Sequence, residues 1–152
     1  MRLGDRLEEA ACALILAVMT AVALANVVTR YLVQYALAFT EEVVVNLFVW
    51  LTLLGAAVAV RQGAHLAFTW LVARAPRPLR AAALVLTTAL GVGVFLALAW
   101  FGVGQIRAER ALGTTSEALA IPQWWYTAGV PVFSGLVVVR LLQAAWRTAR
   151  RG

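Results

Sequence analysis

Apolar residues in this chain fall into four long runs, separated by short charged segments. The runs cover about residues 10–29, 43–60, 81–106 and 122–146. A helix that is apolar all round is buried in a large core or in lipid. The second run is the clearest. Eighteen residues without a formal charge, Val43 to Val60, stand between Glu41/Glu42 and Arg61. A run of about that length is the shortest normally read as a transmembrane helix. The pattern therefore predicts an all-α integral membrane fold with four transmembrane helices in one membrane domain.

The connections carry the helix signals. Glu41 and Glu42 suit the positive end of a helix dipole, and Thr40 reads as its N-cap. Tyr31, Tyr35 and Phe39 are four apart and predict an aromatic stripe on a helical turn at the interface. After Arg61 and Gly63 comes an apolar segment with Trp70 that is too short to cross. It reads as an interfacial amphipathic helix over about 64–74, ended by Pro76 and Pro78. Ala89, Gly93 and Ala97 form a small-residue face that admits another helix. Gly102 and Gly104 are expected to loosen the end of that span. Pro122 fits the first turn of the last helix, Trp124 and Trp125 anchor it at the interface, and Pro131 predicts a kink. Ala21-Val22-Ala23 resembles a signal-peptidase site. The run around it is long for a signal peptide, however, and is preceded by Glu8 and Glu9, so it is read as the first span.

Composition sharpens this reading. Of 152 residues, 63% are hydrophobic and 13% charged, against roughly 45–50% and 25% in a soluble domain. One small core could not hide that excess. The net charge of +6 comes from arginine alone. The arginines sit between apolar runs and form no patch with aromatics, which argues against a nucleic-acid partner. Two arginines precede the first span, four lie in 61–80 and three in the tail, nine in all; Arg30, Arg107 and Arg110 lie on the other side. That bias predicts both termini in the cytoplasm, N-in and C-in, with the 107–121 loop outside. Arg140 is left over inside the fourth span, where it reads as a snorkelling anchor or a contact to a partner subunit.

Candidate chemistry is sparse. His65 is the sole histidine and has no ligand cluster at metal spacing, and the hydroxyls have no base beside them. No catalytic residue, cofactor site or metal site is assigned, and the chain is not read as an enzyme. Asn26 and Arg30 share a helix face, as do Glu42 and Asn46. Arg30 is expected to pair with Glu41 or Glu42 near the outer interface, since an unpaired charge there is costly. One reading makes such an acid a proton or cation carrier in a stand-alone small four-span exporter. The other makes the set a structural clasp or docking surface.

Three blocks together resemble one family: Arg30-Tyr31 with Phe39-Thr40-Glu41-Glu42; WLTLLGAAVAVRQGAH from Trp50 through Gly55 to His65; and TTSEALAIPQWWYTAGVP from Thr114 to Pro131. In order and spacing they are similar to the DctQ-like small membrane subunit of tripartite ATP-independent periplasmic (TRAP) transporters. The resemblance covers most of the chain; the family often has Trp where Phe39 stands. It implies a multi-pass scaffold subunit of the bacterial inner membrane, packed beside a large permease subunit and visited by a periplasmic substrate-binding protein. Sodium is expected in the large subunit and not here. Membrane lipids are the remaining partner. Residue pattern and resemblance together assign as interface and structural residues Arg30, Glu41, Glu42, Asn46, Trp50, Gly55, Arg61, Gly63, His65, Gly93, Pro122, Trp124, Trp125, Pro131 and Arg140.

Overall fold

In a computed structural model the described residues are 3–32, 34, 35, 37–62 and 76–150. They form α1 (Leu3–Leu32), α2 (Phe39–Arg61), α3 (Arg77–Leu112), the short α4 (Trp124–Thr127) and α5 (Gly129–Ala149). Four stretches are long and apolar enough to cross a membrane: Arg6–Leu32, Phe39–Arg61, Ala82–Leu112 and Trp124–Thr148. The protein is an all-α, four-span membrane protein. The expected interfacial helix over 64–74, with Gly63, His65 and Trp70, lies outside the described residues.

The helices outrun the apolar runs. α1 begins in the charged segment before Ala10, and α3 continues six residues past Ile106. At 1.5 Å per residue α3 is about 54 Å long, well beyond a hydrocarbon core of about 30 Å. Gly102 and Gly104 do not loosen it; the helix is continuous to Leu112, where Gly113 caps it in the left-handed conformation at φ 62°. Gly102 serves packing instead. A Cβ there would lie 3.0 Å from Cδ of Pro131 on α5.

Two local expectations are corrected. Thr40 does not cap α2: the cap position is Ala38, and the Thr40 hydroxyl is buried without a partner among the described residues. Tyr31, Tyr35 and Phe39 do not share a helical turn. α1 stops at Leu32, and Gln34 turns left-handed at φ 54°. The backbone N–H of Leu37 then donates to Oδ1 of Asn26 at 2.9 Å, so a side chain takes over the amide that a continuing helix would have bonded.

Adjacent helices form a row: α1 packs on α2, α2 on α5, and α5 on α3. The core lies where the two central helices meet. Ala57 and Val60 of α2 face Val137 and Leu141 of α5, with Val92 and Phe95 of α3 packed against them. The buried positions follow helical spacing, 53/54/57/60 and 137/138/141. Lipid is as apolar as leucine, so close van der Waals contact, rather than escape from water, holds this seam. Ala57 and Ser134, both fully buried, let the backbones approach. The edge helices differ sharply. No residue of α3 from 82 to 101 is buried, although α5 lies against one side of it.

Candidate functional site

Polar ties gather at the two ends of α2. Glu42 and Arg61 stand 19 residues apart, about 28 Å along the helix, close to the thickness of a hydrocarbon core. The ties therefore sit at the two membrane surfaces with an apolar seam between them.

At the first end Glu42 receives the backbone N–H of Ala118 and the hydroxyl of Tyr126, each at 2.9 Å. The expected Arg30 clasp is thus corrected. Glu42 faces the 113–123 connection and α4, on the far side of α2 from α1. Arg30 and Glu41 are exposed, and among the described residues Arg30 makes no ion pair. Asn46 donates to the Glu42 carbonyl at 2.7 Å, a bond within the helix. One turn further, Trp50 donates its indole N–H to the carbonyl of Tyr126 at 2.9 Å and meets Phe133 edge-on, 5.8 Å between centroids.

That indole explains Gly129. A Cβ on Gly129 would stand 2.1 Å from Nε1 of Trp50. The last span is broken at this level into α4 and α5, two residues ahead of Pro131. The proline has no N–H for the carbonyl of Thr127, four residues back. Pro122 does not enter the first turn; it lies just before the helix, in an antiparallel bridge with Thr115. That bridge and a bond from Ser116 N–H to the Ile121 carbonyl at 2.8 Å close the connection into a tight hairpin. Ala120 takes φ 53° within it. Glu109 lies beneath, buried, its Oε1 accepting from Gln105 and from Thr127 at 3.0 Å each.

At the second end Glu9 pairs with Arg61. Glu8 accepts from Nε of Arg140 at 2.9 Å, and Arg140 also donates to Gln143 at 3.0 Å. The side chains of Glu8 and Arg140 are 9% and 15% exposed. Arg140, rather than snorkelling to water, is held by an acid of α1. Gly55 and Gly93 have open space where a Cβ would stand, among the described residues. Trp124 and Trp125 stack at 5.0 Å.

Sequence reasoning missed Glu8, Glu9, Glu109 and Gly129, and it read Tyr126 as an interfacial anchor beside Trp124 and Trp125 without its bond to Glu42. A signal existed for the first two. Alternating spans bring residues 1–9, Arg61 and the end of the last span to one side, and apart from Asp5 those are the acids there. Among the described residues no three His, Cys, Asp or Glu side chains gather to hold a metal ion.

A family model described as tripartite ATP-independent periplasmic transporters, DctQ component, matches residues 19–151. The chain belongs to this DctQ family. Relatives agree. It is 32% identical over 118 residues to the C4-dicarboxylate TRAP transporter small permease protein DctQ of Rhodobacter capsulatus, covering 76% of this chain and 51% of the relative. It is 40% identical over 68 residues to a putative TRAP transporter small permease protein of Haemophilus influenzae, covering 45% and 42%. With the Vibrio cholerae DctQ it shares 26% over 165 residues, covering 94% and 71%. The chain spans about half the length of the first relative and less than half of the second. As a DctQ protein it is a TRAP small permease subunit, a multi-pass protein of the bacterial inner membrane.

Proposed function

We propose that this DctQ subunit is the static frame of a TRAP-type secondary transporter. It packs against a large permease subunit and supports sodium-coupled uptake of a small carboxylate-bearing solute delivered by a periplasmic binding protein. Support comes chiefly from one observation: among the described residues four long helices lie in an open row, with α1 and α3 at its edges and their long apolar faces uncovered. A layer of that kind extends a larger membrane body. A part that slides needs one that does not, and a wider, lipid-anchored frame resists being dragged. Two relatives carry C4-dicarboxylate in their names, which favours a carboxylate solute. The arginine bias favours N-in/C-in, with the Glu42-tethered hairpin outside, where the binding protein docks.

The test is co-expression of the tagged chain with the large permease subunit of the same transporter. Recovery of both in one complex is expected after solubilisation in mild detergent. Recovery of the tagged chain alone, under conditions where both are made, contradicts the reading.

A further inference from the structure

Arg107 and Arg110 stand at the arginine-poor end of the molecule, against the general bias. They are three apart on α3, so they share a face. The Arg110 guanidinium lies 4.0 Å above the Trp124 ring, which fixes it in place. Among the described residues neither guanidinium has an acceptor or an ion-pair partner. Beside Arg110 opens a cleft of about 220 Å³ whose walls include Glu109, Thr114, Thr115 and Trp124. Glu109 also lines it, but its carboxylate is turned inward: one oxygen accepts from Gln105 and Thr127, and the other is buried.

The same stripe of α3 continues into the membrane as Val103, Trp100 and Leu96, at helical steps of three and four. These are 39%, 78% and 53% exposed. A pinned cation thus stands at the level of the interfacial tryptophans with an apolar track below it. A free anion would need only the cation; the track suits acyl chains. We propose that Arg110, with Arg107 one turn below and the Thr115 hydroxyl at the cleft wall, binds the phosphate of a phospholipid headgroup whose chains run along Val103, Trp100 and Leu96. Arginine's planar fork matches phosphate oxygens two at a time.

The experiment uses the whole chain in non-ionic detergent, titrated with phosphatidylglycerol and read by native mass spectrometry. One lipid bound per chain is expected. Arg110→Gln lowers the apparent affinity roughly tenfold, the effect of losing one charge-assisted contact. Arg147→Gln, at the opposite end, leaves it unchanged, and circular dichroism of both variants matches the parent. Retention of the lipid at the parent affinity by Arg110→Gln and by the Arg107→Gln/Arg110→Gln pair overturns the proposal. So does displacement of the lipid by millimolar inorganic phosphate, which would make this a site for a free anion.

Discussion

Gly129 and Trp50 show how far single residues decide this fold. The indole fills the space a side chain at 129 would need and donates to the Tyr126 carbonyl beside the helix break. Gly129→Ala should therefore force the indole or the backbone aside and lower stability by about 1–3 kcal/mol, the usual cost of overpacking. Trp50→Phe keeps most of the ring but leaves that carbonyl without its donor, at about 1–3 kcal/mol. Thermal unfolding in detergent, followed by circular dichroism, measures both; an unchanged midpoint in Gly129→Ala contradicts the close contact. Glu42→Ala should free the hairpin by removing the acceptor of Ala118 and Tyr126. Faster tryptic cleavage after Arg110 is expected, and cleavage at the parent rate would mean the tether does not hold. None of these pairs was legible in the sequence. Glu42 and Tyr126 are 84 positions apart, and local spacing pointed Glu42 toward Arg30, the nearest cation along the chain.

At the scale of elements, the four spans were legible because each is a run of apolar residues bounded by charge. The helix ends were not. Charges stop the hydrocarbon-compatible run, yet they do not stop a helix, so α1 and α3 extend into charged sequence. Neighbour relations were likewise beyond periodicity, since residues that face lipid and residues that face another helix are equally apolar. The predicted small-residue face through Gly93 is left outward, while Gly91 and Gly102 meet α5. Arg140 did announce a need for a partner. Its pairing with Glu8 ties α1 to α5, helices separated by α2 in the row. Arg140→Gln should cost about 3–5 kcal/mol, because it strips the buried Glu8 carboxylate of the cation it faces, and Glu8→Gln should cost less, because Arg140 keeps its bond to Gln143. The double variant Glu8→Gln/Arg140→Gln should be less destabilised than the two single effects combined. Strict additivity in denaturant or thermal unfolding would show that the pair is not coupled.

For the whole molecule, polar ties lie at two levels about a bilayer core apart, with an uncharged seam between them. Such a body is held flat and upright in the membrane, and its unpartnered apolar faces suit a larger companion. The family could be read from three motif blocks; the openness of the row could not. The central claim is that this subunit transports nothing by itself and is required when joined to its large partner. Uptake of the labelled carboxylate that the transporter's own binding protein carries, into proteoliposomes under an inward sodium gradient, tests that most directly. The account predicts no uptake with this chain alone, and uptake when the large subunit and the binding protein are both added. Solute accumulation by the chain alone, or full uptake by the large subunit and binding protein without it, would contradict the account.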